Sequence, residues 1–264
     1  MSVNLPCLLP LLPSSQANHF HPTSPTEKEK KTMLPTPTTS HLTFTSLYEP
    51  SEDTFHLLDA LSSDSSFLHA RFPQDASPPP LVLELGSGSG IVTSFLTAHA
   101  HALFGRFVAT LATDVAAHAV VATAQTVAVN GGGGGLLLDA LNADLAAPVR
   151  GGVVDVLVFN PPYVPSDCLP EREGGDWLEI ACAGGRDGME VTERALDGLA
   201  EVLSDRGVAY VLMCKRNRPE EVVRRLREGE YAGGVRWVVE KVGSDGGKKA
   251  GWEVLGVWRI ARPV

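Results

Sequence analysis

Short apolar runs alternate with amphipathic segments along most of this chain. The apolar runs are four to eight residues long, as expected of buried strands, and the segments between them repeat their apolar positions with helical spacing. The predicted strands are residues 81–85, 107–113, 136–141, 153–159 and 208–214. The predicted helices are residues 91–103, 115–129, 189–203 and 219–228. This alternation predicts a parallel sheet covered by helices on both faces.

The two ends of the chain depart from the alternation. Residues 1–43 are rich in Pro, Ser and Thr and lack periodicity, so we expect a disordered tail. The last two predicted strands, residues 235–242 and 253–260, flank a Gly-rich segment and predict a terminal antiparallel hairpin. The prediction is therefore one doubly wound, Rossmann-like α/β domain over residues 44–264, with a mostly parallel seven-stranded sheet.

Two further segments lie between these elements. Ser51 precedes two acidic residues and the apolar positions Phe55, Leu58 and Leu61, which predicts a capped helix. Residues 161–187 show no periodicity, and we expect a long loop there.

Composition and charge exclude several classes of protein. The net charge of −9 disfavours a protein that binds by neutralising phosphates. The four cysteines form no CxxC pair, so we expect no metal site and no disulfide framework, and reduced thiols in the cytoplasm or nucleus. No apolar run approaches the roughly 20 residues that span a bilayer.

A glycine-rich turn follows the first predicted strand of the sheet. Gly86, Gly88 and Gly90 let the backbone approach a ligand at the start of the next helix. The third glycine comes one residue too early for the dinucleotide fingerprint, which counts against a hydride-transfer enzyme. Glu84, just before the turn, would repel a pyrophosphate but would favour the cationic sulfonium and amino groups of S-adenosylmethionine.

Two acidic residues follow the next two strands. Asp114 is placed to accept hydrogen bonds from ribose hydroxyls, and Asp144 to accept one from the adenine amino group. Each alone is equally well explained as a turn or cap residue. At the carboxyl ends of neighbouring parallel strands, however, the two outline one nucleoside pocket.

The tetrapeptide Asn160-Pro161-Pro162-Tyr163 ends the fourth predicted strand, next to the first. An amide or exocyclic amine nitrogen is a weak nucleophile, because its lone pair is delocalised. The side-chain carbonyl of Asn160 and the backbone carbonyl of Pro161 can accept both N–H bonds and aim the lone pair at a methyl group. The two prolines restrict these acceptors, and Tyr163 can stack on the planar group. The tetrapeptide thus predicts methylation of a planar nitrogen.

Together these motifs resemble the HemK-type glutamine methyltransferases. Residues 48–55 and residues 183–188 resemble motifs of the eukaryotic and archaeal branch of this family, which modifies class-1 translation release factors. The resemblance covers about residues 44–264. It implies that the cofactor site is lined by Thr54, Glu84, Gly86, Asp114, Asp144, Leu145 and Asn160, together with Gly88 of the turn.

The resemblance also implies a substrate and a partner. The substrate is the glutamine of the release factor's Gly-Gly-Gln loop, held by residues 160–163, and the sequence leaves open whether the factor's GTPase partner must be present. The partner is a small zinc-binding activator subunit that covers an apolar face or sheet edge. The Ala/Val-rich residues 107–129 are a candidate contact, although core packing explains them equally well.

Three other functions compete with this interpretation. An adenine-N6 methyltransferase of nucleic acids would need a base-recognition region for which the chain has little room. A lysine methyltransferase would not need a side chain that stacks on a planar group. A scaffold without activity is disfavoured, because Glu84 and Asn160 are both present.

Overall fold

The computed structural model describes residues 33–75, 78–131, 133–243, 249–250 and 253–263. Residues 1–32 of the predicted tail lie outside the described residues. Residues 244–248, in the turn of the predicted terminal hairpin, also lie outside them.

Seven strands of the described chain form one sheet in the order β3-β2-β1-β4-β5-β8-β6, and a two-residue strand, β7, pairs with β8. The five neighbouring strands β3, β2, β1, β4 and β5 are parallel to one another, and β8 is antiparallel to both β5 and β6. The bounds are β1 Leu81–Leu85, β2 Val108–Asp114, β3 Gly135–Asn142, β4 Val154–Phe159, β5 Leu203–Cys214, β6 Val238–Val242, β7 Lys249–Ala250 and β8 Glu253–Ala261. The predicted doubly wound fold and its antiparallel terminal strands are confirmed.

Helices cover both faces of the sheet. The bounds of the eight described helices are α1 Glu52–Ser63, α2 Ser65–Arg71, α3 Ile91–Ala98, α4 Ala100–Phe104, α5 Ala117–Asn130, α6 Trp177–Cys182, α7 Glu190–Val202 and α8 Pro219–Glu228. None of these helices is long and apolar enough to cross a membrane.

The helices differ from the sequence prediction in several places. The predicted helix over residues 91–103 is divided into α3 and α4 at His99. Helices α2 and α6 were not predicted, and α6 lies within the expected loop. In α1 the predicted cap is wrong, because Ser51 makes no capping hydrogen bond and its hydroxyl donates to Asp53 instead. Phe55, assigned to the apolar face, is exposed.

Two apolar cores lie on opposite faces of the sheet. Because neighbouring residues of a strand point to opposite faces, Val82 of β1 belongs to one core and Leu83 to the other. Helices α1 and α3 pack on the first face, and α7 and α8 on the second. The sheet is therefore buried on both faces where β1 and β4 pair. The carboxyl ends of these two strands lie side by side at the same end of the sheet.

The folded domain begins earlier than predicted. Residues 33–43 were expected in the tail, but Leu34 packs against the first core and the Thr38 amide donates to the Asn130 side chain at 2.7 Å. The His99 ring also lies 2.7 Å from the Pro35 carbonyl oxygen. The boundary predicted at residue 44 is therefore too late, because these contacts depend on residues far along the chain.

Candidate functional site

One cavity of about 230 Å³ opens at the carboxyl ends of β1, β2 and β4. It brings together every residue that the sequence predicts for the site. These are Thr54, Glu84, Gly86, Gly88, Asp114, Asp144, Leu145, Asn160, Pro161, Pro162 and Tyr163. A cleft at this edge of an open parallel sheet is where such folds bind their ligands.

The glycine turn needs its third glycine because of helix packing. Gly90 has a φ of +74°, and a Cβ atom built on it would lie 2.4 Å from the Cα atom of Thr123 in α5. Gly88 has a φ of +52°, and its missing Cβ would meet no neighbouring atom. The turn is thus closely packed on α5 at Gly90 and open toward the cleft at Gly88.

Two buried threonines of α5 hold the glycine turn from behind. Thr123 donates a 2.8 Å hydrogen bond to the Ser87 hydroxyl, and Thr126 donates one of 2.7 Å to the Ser89 carbonyl. Sequence analysis missed both residues. The signal was weak, since a polar residue within an Ala/Val-rich helix also occurs on exposed faces.

Glu84 is the most strongly perturbed acid of the cleft. It is buried, and desolvation raises its pKa to about 8, although the Thr93 hydroxyl donates to its carboxylate. Burial without a neighbouring cation favours the neutral acid. A positively charged ligand beside Glu84 would offset that cost and favour the carboxylate, so the site fits a cationic group.

Asp114 ends β2 and connects it to the glycine turn. Its Oδ2 accepts from the amide of Gly88 at 2.8 Å, and its Oδ1 accepts from the amide of Ala116 at the same distance. Burial raises its pKa, and these two bonds oppose the effect. Each carboxylate oxygen can accept a second hydrogen bond, which leaves Asp114 able to take ribose hydroxyls.

Asp144 lies in a different environment from the one expected. Its Oδ2 accepts from Arg172 at 2.9 Å and from Arg194 at 2.7 Å. Burial alone would raise the pKa of Asp144, but the two guanidinium groups outweigh it and lower the pKa. Neither arginine was predicted, because nothing in the local sequence of either residue points to Asp144. The prediction that Asp144 binds adenine stays a prediction.

Asn160 presents an unpaired acceptor in the cleft. Its side-chain nitrogen donates to Asp53 Oδ2 at 3.0 Å, whereas its buried Oδ1 has no hydrogen-bond partner. A buried polar atom without a partner is costly and rare in folded proteins. Here the atom belongs to a residue that lines the cleft, so it fits a ligand that donates an N–H bond.

The Asn160-Pro161-Pro162-Tyr163 loop is held from behind by the backbone of residues 183–188. Cβ atoms built on Gly184 and Gly188 would lie 2.5 Å from the Pro162 carbonyl and 2.0 Å from the Tyr163 carbonyl. Only glycines allow this close approach.

A buried asparagine locks the same loop to the end of β5. The side-chain nitrogen of Asn217 donates to the carbonyls of Tyr163 at 3.1 Å and Asp187 at 3.0 Å. Its Oδ1 accepts from the Cys214 amide. Sequence analysis did not single out Asn217, which lies within a run of basic residues.

Comparisons with known proteins identify the family of the chain. No protein-family model matches the chain. The chain is 34% identical to Methyltransferase HEMK2 of Mus musculus over 235 residues, which are 87% of this chain and 97% of that protein. It is 33% identical to the eRF1 methyltransferase catalytic subunit mtq2 of Schizosaccharomyces pombe, over 87% of this chain and 96% of that protein.

The fold is also found in a more distant solved structure. The CurJ carbon methyltransferase superposes with a TM-score of 0.52 and 14% identity, over 83% of this chain and 57% of that one. This likeness concerns the fold alone. The sequence matches to HEMK2 and mtq2 cover nearly the whole length of both relatives. The chain is accordingly a methyltransferase that belongs to the HEMK2 and mtq2 branch of the HemK-type family.

Proposed function

We propose that this chain uses S-adenosylmethionine to methylate N5 of the glutamine in the Gly-Gly-Gln loop of the class-1 translation release factor. The observation that carries the proposal is the buried, unpaired Oδ1 of Asn160, an acceptor that suits the N–H of an amide. The name of the mtq2 relative, an eRF1 methyltransferase, supports a release factor as the protein substrate.

The cofactor proposal depends on the chemistry of the other cleft residues. Glu84 suits a cationic group, Asp114 suits ribose hydroxyls, and Gly88 leaves space beside both. Thr54, Gly86, Asp144 and Leu145 complete the set of residues that would hold the cofactor, and Asn160 would border it while binding mainly the acceptor. When bound there, S-adenosylmethionine supplies an electrophilic methyl group on a sulfonium.

The protein's contribution to the reaction is to bind and orient the acceptor amide. Asn160 Oδ1 and the Pro161 carbonyl accept its two N–H bonds, which directs the nitrogen lone pair into the cleft. Pro161 and Pro162 keep these acceptors fixed, so little reorganisation is needed during transfer. Tyr163, which lines the cleft, would pack against the planar amide. No strong base is required, because the proton of the methylated nitrogen can leave to water after transfer.

The exposed edge of the sheet suits the activator subunit implied by the family. β3 lies at one end of the strand order, and its Leu136 and Leu138 are 54% and 55% exposed. Val121 and Val129 of α5 are exposed to a similar degree. An apolar, unpaired strand edge is an aggregation hazard that proteins normally cover.

This surface sharpens the contact region suggested by the sequence. Within residues 107–129, Val108, Ala112 and Ala119 are buried core residues, and only part of the segment is available to a partner. We therefore place the activator on β3 and the exposed side of α5. We place the enzyme in the cytoplasm, where release factors act, with a nuclear pool as the alternative.

One transfer assay tests the acceptor. The chain, with and without the activator subunit, is given labelled S-adenosylmethionine and one of three acceptors: intact release factor, duplex DNA or histone. We expect label in the release factor alone, and none when its loop glutamine is replaced by alanine. Label that survives this replacement contradicts the proposal, and label in DNA or histone would support the adenine or lysine alternative.

A further inference from the structure

We propose that Asp53 is a positioning residue that fixes the Asn160 amide with its oxygen toward the cleft, and that it thereby makes the site select a glutamine amide over a glutamate carboxylate. The inference rests on the proposed function and concerns how the same site distinguishes its substrate. Asp53 was not among the residues predicted for the site.

The orientation of the Asn160 amide is set by its partner. The oxygen and nitrogen ends of an asparagine amide have nearly the same shape, so packing alone distinguishes them poorly. Asp53 Oδ2 lies 3.0 Å from the amide nitrogen of Asn160. A carboxylate only accepts hydrogen bonds, and turning the amide over would bring two acceptor oxygens together. Asp53 therefore directs Asn160 Oδ1 away from itself, where it has no protein partner.

Asp53 is itself held rigidly by its own segment. It is 3% exposed, and its Oδ1 accepts from the Ser51 hydroxyl at 2.9 Å and from the Thr54 amide at 2.6 Å. The Tyr48 hydroxyl lies 3.3 Å from Asp53 Oδ2 and 2.7 Å from the Ser51 hydroxyl, so its one proton serves one or the other of these contacts. Burial raises the pKa of Tyr48 to about 12, so this hydroxyl stays protonated and remains a donor at neutral pH. The carboxylate cannot rotate without losing several of these bonds.

The fixed amide determines which acceptor group the site admits. A glutamine side chain offers two N–H donors to Asn160 Oδ1, whereas an ionised glutamate offers only acceptor oxygens. Glutamine and glutamate have nearly equal volumes, so the shape of the cleft cannot separate them. Sites that hydrogen-bond a substrate donor can reject analogues lacking it by about 10⁴-fold, because the buried acceptor is left unpaired.

The substitution Asp53→Asn should weaken this selection. Oδ1 of residue 53 faces the Ser51 and Thr54 donors, so the introduced amide keeps its oxygen there and turns its NH₂ toward Asn160. The Asn160 amide then gains a donor partner and turns its own NH₂ into the cleft. The size of the side chain is unchanged.

The test uses intact release factor as substrate and its loop Gln→Glu variant as a competitive inhibitor, with the enzyme in complex with its activator. For the wild type we expect inhibition at least about 100-fold weaker than substrate binding. For Asp53→Asn we expect that ratio to fall at least tenfold and kcat to fall roughly 10- to 100-fold. The dissociation constant for S-adenosylmethionine should change less than about threefold, since only the acceptor side is altered.

A matched control makes the same chemical change elsewhere. Asp155 in β4 is 5% exposed and its carboxylate accepts from Arg206 and Ser204, away from the cleft. Asp155→Asn should lower the melting temperature but leave the ratio of inhibition to substrate binding at the wild-type value. If Asp53→Asn does not fold, Ser51→Ala removes one donor from Asp53, and a two- to fivefold fall in the ratio is expected from the looser carboxylate.

The outcomes separate the two proposals. An active wild type together with a folded Asp53→Asn variant that keeps the wild-type ratio overturns the role of Asp53 and leaves the proposed function intact. A wild type that transfers no methyl group to the loop glutamine overturns both, because the inference depends on that acceptor.

Discussion

The two halves of the cleft are built in different ways. In the cofactor half, which comprises Glu84, the turn over residues 86–90, and Asp114, the polar groups are paired within the one stretch of chain from β1 to α5. In the acceptor half, which comprises Asp53 and residues 160–163, the contacts join segments far apart in the chain. The Asp53–Asn160 bond spans 107 residues, and that between Asn217 and Tyr163 spans 54.

The halves also differ in how completely their hydrogen bonds are satisfied. Glu84 and Asp114 both accept hydrogen bonds from the protein. In the acceptor half Asn160 Oδ1 is buried without a partner. The cofactor half is thus a pocket built from neighbouring parts of the chain. The acceptor half contains an unpaired hydrogen-bond acceptor that is available to the substrate amide. Binding of cofactor and transfer of the methyl group should therefore be separable by mutation.

The largest separation is expected from Asn160→Ala. Removing the acceptor takes away the group that orients the substrate nitrogen and leaves Asp53 without its amide donor. We expect kcat for methylation of the release factor to fall about 10³-fold, as for loss of a preorganised polar group in other active sites. Affinity for S-adenosylmethionine, measured by calorimetry, should change less than about threefold. A comparable loss in both quantities would mean that the halves are not independent.

The substitution Glu84→Gln should impair the cofactor half. The glutamine keeps the size of the side chain but cannot offer a negative charge to the cationic cofactor. We expect the dissociation constant for S-adenosylmethionine to rise about 10- to 100-fold, which corresponds to loss of a charged hydrogen bond of about 1.5–3 kcal/mol. At saturating cofactor, kcat should stay within about threefold of the wild type.

A second variant checks the cause of that loss. Thr93→Val removes only the hydroxyl that donates to Glu84. It should weaken cofactor binding by less than Glu84→Gln. A Glu84→Gln variant that binds the cofactor normally would show that the buried carboxylate is structural.

This contrast explains which parts of the molecule the sequence could predict. Strands β1 and β4 are buried on both faces and therefore appear as nearly continuous apolar runs, each interrupted by one acidic residue, Glu84 or Asp155. Helix α8 was predicted with its observed bounds, because Pro219 begins it and Gly229 follows its last residue. The residues of the cofactor half lie at strand ends or directly after them, so their position could be inferred from the strand pattern alone.

Long-range contacts were beyond the same reasoning. Asp53 stands beside Glu52 at the start of a helix, where acidic residues are common for reasons of the helix dipole. Its role depends on Asn160, which no local pattern connects to it. The division of a helix at His99 was missed for a related reason, since apolar positions continue through it. Short helices such as α6 have too few residues to show a period.

Binding of the cofactor should depend on pH, because it depends on the ionisation of Glu84. Burial raises the pKa of Glu84 from its ordinary value to about 8 in the protein alone, and a cationic ligand favours the ionised form. Below pH 8, binding must therefore release a proton from Glu84. We expect the affinity to rise by up to about tenfold per pH unit between pH 6 and 8 and to level off above.

The sign of the stability effect follows from the same shift. Because the pKa of Glu84 is higher in the folded than in the unfolded chain, the cofactor-free protein should lose stability as the pH rises from about 4.5 toward 8. Calorimetry at pH 7 in two buffers of different ionisation enthalpy measures the proton released on binding. Glu84→Gln should abolish that release, and equal release in the variant would assign the proton to another group.

The smallest effect is expected from Asn217→Ala, which loosens the acceptor half without touching the substrate. The side chain holds the carbonyls of Tyr163 and Asp187 together, and its loss removes a donor from both of them. We expect kcat to fall about three- to tenfold, which corresponds to roughly 1 kcal/mol for a weakened contact, with the affinity for S-adenosylmethionine unchanged.

Asn130→Ala is the matched control for Asn217→Ala. The side-chain nitrogen of Asn130 also donates to two backbone carbonyls, those of Thr38 and Thr126, but it lies at the last residue of α5 and does not line the cleft. It should lower the free energy of unfolding by a similar amount, measured by urea denaturation, and leave kcat unchanged. If both variants lose activity in proportion to their stability, Asn217 acts only through the fold. If Asn217→Ala alone lowers kcat, the geometry of the acceptor loop limits transfer even when every residue that touches the substrate is intact.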